Sequence, residues 1–148
     1  MELQYQNIIT LPQKEYIFLI EMKVRDYECD LQGVVNNSNY QHYMEHARHE
    51  FLESLGDNFS SMHDEGYDAM VAKVEIAYKQ SLKSGDRFWV GINFYKEGVR
   101  LIFDQDIIRV KDSVVVATGK IHSVVVKDGV LTRGEYLDEL IQRNFGQK

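Results

Sequence analysis

An aspartate three residues ahead of a glycine, with a helix starting soon after, can cleave an activated acyl bond. The chain carries this arrangement as Glu28-Cys-Asp30-Leu-Gln-Gly33-Val-Val-Asn-Asn37-Ser-Asn-Tyr40. A carboxylate can take a proton from water or attack a carbonyl carbon itself. The first N–H groups of a helix lack an intrahelical acceptor, and the macrodipole adds positive potential there. An oxyanion forming at that end is stabilised. Asp30 is the candidate carboxylate, and the exposed backbone N–H groups where the helix begins, at Ser38 or a nearby Asn, are the candidate oxyanion donors. The plainer reading is that Asp30 serves a turn, as aspartates ahead of glycine commonly do.

The elements that must position these groups are legible from periodicity. Tyr16 to Arg25 alternates as a strand, with Phe18, Ile20, Met22 and Val24 on one parity. Ser38 to Leu55 has the helical period, through Tyr40, Tyr43, Met44, Ala47, Phe51 and Leu52. Ser38 and Gln41 have the spacing of a capping box, and Gly56 suits a left-handed helix end. A polar loop is expected next. Residues 69–80, Phe88 to Phe94, Val99 to Val110 and Val114 to Val126 follow as strands, separated by Ser84-Gly85-Asp86, Glu97-Gly98 and Asp112-Ser113. Asp128-Gly129 closes the last strand. Residues 134–145 are expected to form a short helix, and residues 1–15 an irregular arm. Tight turns favour antiparallel neighbours, so the expected architecture is α+β: one long helix against a curved antiparallel sheet. One helix covers only part of such a sheet, which predicts a homodimer.

A chain of 148 residues is expected to form a single domain over 1–148, with its core at about 16–127. A net charge of −6 without a basic run disfavours nucleic acid and anionic membranes as partners. Cys29 is the only cysteine, which excludes an internal disulfide and a cysteine-rich zinc site. With no signal peptide and no membrane-length apolar run, the expected localisation is cytoplasmic. Neither a phosphate-binding loop nor a dinucleotide fingerprint occurs, so no cofactor is expected.

The motif Asp30-x-x-Gly33-Val-Val-Asn-Asn-x-x-Tyr40, followed by Tyr43-Met-Glu45-His-Ala47-Arg48, resembles the hotdog-fold acyl-CoA thioesterases. More narrowly it resembles the 4-hydroxybenzoyl-CoA thioesterase superfamily and its YbgC-like branch, over roughly residues 16–127. The resemblance implies a hotdog fold, in which a five-stranded antiparallel sheet wraps the helix. It further implies a homodimer with a continuous sheet, often a dimer of dimers, and active sites at the dimer interface. Asp30 matches the catalytic aspartate of that family, and Asn37 the position whose N–H faces the thioester oxygen. Many YbgC-like members carry His or Tyr there, so Asn37 departs from the pattern, leaving a backbone contact but no such side-chain role. The expected activity is hydrolysis of an acyl-CoA thioester to a free acid and CoA, with the N–H of Asn37 and neighbours from Gly33 onward stabilising the oxyanion. The alternatives are an acyl-ACP thioesterase, which the acidic charge weakly opposes, and a non-catalytic acyl-CoA binding protein.

Other residues have plainer roles beside the chemical ones. Glu45 is the second candidate carboxylate, although pairing with Arg48 three positions on is the commoner use of such a residue. His42, His46 and His49 share helical spacings but lack the glutamate of a zinc-protease motif, so no metal is expected. Cys29 without a histidine partner reads as a small hydrophobe. Tyr40 lies one turn into the helix and can line an acyl pocket, while core packing is its plainer role. Lys73, Lys79, Lys83 and Arg87 are candidate contacts for CoA phosphates.

Overall fold

The computed structural model describes residues 9–11 and 14–145, and among them side chains other than those of 9, 10, 57–60, 144 and 145. Most of the expected N-terminal arm therefore lies outside the described residues. The part that is described is not irregular: β1 (Ile9–Thr10) pairs antiparallel with β2 (Glu15–Tyr16).

The main sheet contains β3 (Phe18–Lys23), β4 (Tyr67–Tyr78), β5 (Arg87–Glu97), β6 (Arg100–Arg109) and β7 (Val114–Lys127). Their spatial order is β3-β5-β6-β7-β4, antiparallel throughout, and the two-residue β8 (Val130–Leu131) pairs with β7. Three helices accompany it: α1 (Asn37–Glu53), α2 (Asp57–Asp64) and α3 (Glu135–Phe145). The β7–β8 turn works because Asp128 and Gly129 both take positive φ, 51° and 85°, as a right-twisting two-residue hairpin requires.

The sheet curls around α1. Phe88, Val90 and Ile92 of β5, Phe103 and Ile107 of β6, and Ala117, Ile121 and Val125 of β7 meet Tyr43, Met44, Ala47 and Phe51 in one buried cluster. Gly119 allows the closest approach: a Cβ there would stand 2.6 Å from the Met44 sulfur. On the other face Tyr16 is fully buried over Gly91, and its hydroxyl donates to Asp106 at 2.7 Å.

Two boundaries differ from expectation. The helix is capped by Asn36, whose side chain accepts from the Ser38 N–H at 3.0 Å, so Ser38 with Gln41 is not the capping box. At the other end Gly56 is left-handed at φ 74°, but it introduces α2 where a polar loop was expected. The short segment Asp57–Asp64 carries two apolar residues three positions apart in the sequence, Phe59 and Met62, and Met62 is buried in the core cluster, which anchors the turn of helix.

Candidate active site

The loop bearing Asp30 is pinned on both flanks. Cys29 and Val35 face each other in an antiparallel bridge, Val34 bridges to Lys83, and the Val35 N–H donates to the Leu82 carbonyl at 2.9 Å. Between them Asp30 to Val34 makes a tight turn, with Gly33 at φ 80° and its N–H donating to the Asp30 carbonyl at 3.0 Å. A side chain is strained at that φ, hence the glycine.

Asp30 is exposed, and its carboxylate does cap the turn. Oδ1 accepts from the Gln32 N–H at 2.9 Å and more weakly from the Val34 N–H at 3.4 Å. Oδ2 has no partner among the described residues and faces solvent. The turn thus engages one oxygen and leaves the other open.

The start of α1 is tied to the same loop. The carbonyl of Glu28 accepts both the Asn36 N–H at 3.0 Å and the Asn39 side-chain amide at 2.9 Å. Asn37 is the first residue of the helix, and its N–H has no acceptor among the described residues. Its own carbonyl accepts weakly from the Tyr78 hydroxyl at 3.5 Å. The exposed carboxylate and the open helix end therefore belong to one short, cross-braced segment.

The brace was not visible in the sequence. Glu28 is 6 % exposed, and its carboxylate accepts three hydrogen bonds and closes an ion pair. Its Oε1 receives the Arg25 N–H at 2.9 Å and the Tyr43 hydroxyl at 2.7 Å, and its Oε2 receives the Arg25 guanidinium at 2.7 and 3.0 Å. Burial pushes this carboxyl up, but the Arg25 N–H, the Tyr43 hydroxyl and the Arg25 guanidinium outweigh it. The net effect holds Glu28 below the ordinary carboxylate range. The Tyr43 hydroxyl is pushed up, first by burial and then by its bond to Glu28. The only hint in the sequence was an acidic residue two positions before Asp30.

The other candidates fall elsewhere. Tyr40 is in the core, 2 % exposed, with its hydroxyl accepting the Leu82 N–H at 2.9 Å. It thereby fixes the segment that holds the Asp30 loop. Glu45 lies about 12 Å along the helix from Asn37 by helical rise, half exposed, and near His49 at 3.8 Å. It does not pair with Arg48, contrary to expectation, because Arg48 turns inward to Gln105. The Cys29 thiol is pushed up by burial first, then by Asp26, Asp30 and Glu28, so it is a poor nucleophile. Among the described residues no group of His, Cys, Asp and Glu is arranged to hold a metal. Lys73 pairs with Glu75 at 3.6 Å and Arg87 with Glu21 at 3.1 Å. Lys79 and Lys83 enter no ion pair among the described residues. No described helix is long and apolar enough to cross a membrane.

Comparison with known proteins bears on this geometry. Residues 24–133 match the family model of the thioesterase-like superfamily. Over 91 residues the chain is 40% identical to the chloroplastic acyl-acyl carrier protein thioesterase ATL3 of Arabidopsis thaliana, covering 61% of this chain and 48% of that one. The chain thus spans about half the length of this plant relative. It is 37% identical over 112 residues to a candidate esterase of Aquifex aeolicus, covering 76% of this chain and 87% of the other. Among solved structures, a 1,4-dihydroxy-2-naphthoyl-CoA thioesterase from Synechocystis superposes with a TM-score of 0.74, at 17% identity, over 84% of this chain and 94% of that one. At that identity the likeness concerns the fold: a curled antiparallel sheet around a long helix.

Proposed function

The chain belongs to the thioesterase-like superfamily, and from that premise we propose that it hydrolyses acyl thioesters, with acyl-CoA as the substrate class. The observation that carries this reading is an exposed Asp30 carboxylate, one oxygen uncommitted, on a loop braced against the open N-terminus of α1. Asp30 acts as general base, taking a proton from water as the water oxygen attacks the thioester carbon, or attacks that carbon itself. In both routes the C–S bond breaks, the electron pair leaves with the CoA sulfur, and the sulfur takes up a proton. In the second route the acyl group is left on Asp30 as a mixed anhydride, which water then cleaves to the free acid and the aspartate. The N–H of Asn37 stabilises the oxyanion. A donor of this kind is worth about 3–4 kcal/mol of barrier.

The protein acts as a homodimer in this proposal. Among the described residues strand β4 ends the sheet with one unpaired edge of twelve residues, and Met70, Val71 and Tyr78 on it are about half exposed. A long unpaired edge carrying apolar side chains is a template for a second copy.

The identity to a plant acyl-acyl carrier protein thioesterase supports a second reading, in which the acyl group arrives on a carrier protein. The two share their chemistry and differ in the leaving group. The experiment is thiol release from matched acyl chains presented on CoA and on acyl carrier protein. Faster turnover of the CoA series is expected. Faster turnover on carrier protein selects the second reading, and saturable binding with no release on either overturns the hydrolase assignment.

A further inference from the structure

A cavity of about 410 Å³ opens between the second half of α1, α2, the start of β4 and α3. That volume suits a small-molecule site. Its walls include Leu52, Met62, Phe103 and Leu137, with Arg48 and Ser123 as the buried polar groups, while Glu45, His49, His63 and Asp68 stand about half exposed or more at its rim.

Arg48 is 8 % exposed and Ser123 4 %. The Arg48 Nη1 donates to the Gln105 oxygen at 3.0 Å, and the Gln105 amide donates on to the Met44 carbonyl at 3.0 Å. This fixes the guanidinium in place and leaves its other N–H groups without an acceptor. Among the described residues Arg48 enters no ion pair, and the Ser123 hydroxyl has no partner. Burial draws the guanidinium below its ordinary range, which Glu45 opposes. A buried guanidinium without a directly paired carboxylate is costly, and an oxygen atom placed beside it offsets part of that cost.

The position relates to the proposed chemistry. Arg48 lies about three helical turns beyond Asn37, on nearly the same face, some 16 Å along the axis. Met44 fills the core on that face, but the adjoining strip through Gln41 and Glu45 is exposed, and an acyl chain laid along it from the helix N-terminus reaches the cavity at Arg48 with its far end.

We propose that the cavity between α1, α2, β4 and α3 is a subsite for an oxygen-bearing acyl tail, with Arg48 and Ser123 donating to that oxygen. The substrate class is an acyl chain carrying a hydroxyl or oxo group toward its far end, received by the buried apolar part of the cavity behind its polar rim. This rests on the thioesterase reading for the identity of the ligand but not for its binding. The site rejects a plain chain because the polar groups then stay unpaired in the filled cavity.

The test compares a saturated medium-chain acyl-CoA with the same chain bearing a terminal hydroxyl, and the two matching free acids by calorimetry. The wild type is expected to prefer the hydroxylated member by about tenfold to a hundredfold in kcat/KM and in affinity. Arg48→Met and Ser123→Ala should each reduce that preference toward parity, with Arg48→Lys retaining part of it. Ser123→Ala carries the test if Arg48→Met does not fold. Equal handling of the pair by the wild type, or an unchanged preference in both folded variants, overturns the subsite. So does a loss of assembly in Arg48→Met with an unchanged preference in Ser123→Ala, which would give the cation to the partner subunit. Preferential binding of the hydroxylated acid without thioester turnover leaves the subsite standing and removes the hydrolase reading.

Discussion

Replacing Glu28 by Ala should destabilise the protein without disturbing its apolar core. The side chain is 6 % exposed and holds the Tyr43 hydroxyl and the Arg25 N–H. Stranding a buried hydroxyl costs about 1–3 kcal/mol, and the second lost acceptor adds about 1 kcal/mol. The Arg25 guanidinium is largely solvated, so its share is small and screened. The sum, about 2–4 kcal/mol, should appear in urea unfolding as a lower midpoint at unchanged slope. The pH dependence has a definite sign. The folded-state value of Glu28 lies below the ordinary 4.5, so its contribution is fully present above that pH. It is lost as pH falls through the folded value. Glu28→Gln should therefore lose less stability relative to wild type as the pH drops below about 4.5. Stability of Glu28→Ala within about 0.5 kcal/mol of wild type, the range of neutral surface changes, would refute the brace.

Three further predictions follow from the geometry. Tyr40→Phe strands the buried Leu82 N–H and should cost about 1–2 kcal/mol, read from the same unfolding curves. Asn37→Pro removes the proposed oxyanion donor at a helix position that favours proline, after an Asn36 already extended at φ −65° and ψ 139°. It should keep helicity by circular dichroism while kcat falls about 10²–10³-fold; unchanged kcat would remove that N–H from the mechanism. Met70→Asp places a charge on the free β4 edge and should shift sedimentation toward the monomer, whereas an unchanged coefficient would put the interface elsewhere.

The strands and the long helix were legible because each has a local period. Phe88, Val90 and Ile92 alternate into the core, and Tyr43, Met44, Ala47 and Phe51 recur along one helix face. The Asp30 turn was equally local, since glycine at a positive φ marks it. What the sequence hid depends on partners far along the chain. Tyr43 reaches Glu28 from fifteen residues away, and Arg48 meets Gln105 across 57. No spacing rule anticipates such pairs. Arg48 was expected to pair with Glu45 because a helix places them as neighbours, yet burial beside Gln105 prevailed. The cap moved from Ser38 to Asn36 because Asn36 is held by the Glu28 carbonyl. Helix α2 was missed because its eight residues hold only two apolar positions, too short a run for a period to stand out.

The most direct test of the central claim is the initial rate of thiol release from acyl-CoA by wild type beside Asp30→Asn. The amide keeps Oδ1 as an acceptor for the Gln32 and Val34 N–H groups, so the turn should survive and circular dichroism should be unchanged. Turnover should fall by about 10²-fold or more, as loss of a general base or nucleophile requires. A folded Asp30→Asn protein that hydrolyses at the wild-type rate would contradict the account and leave Asp30 as a turn residue.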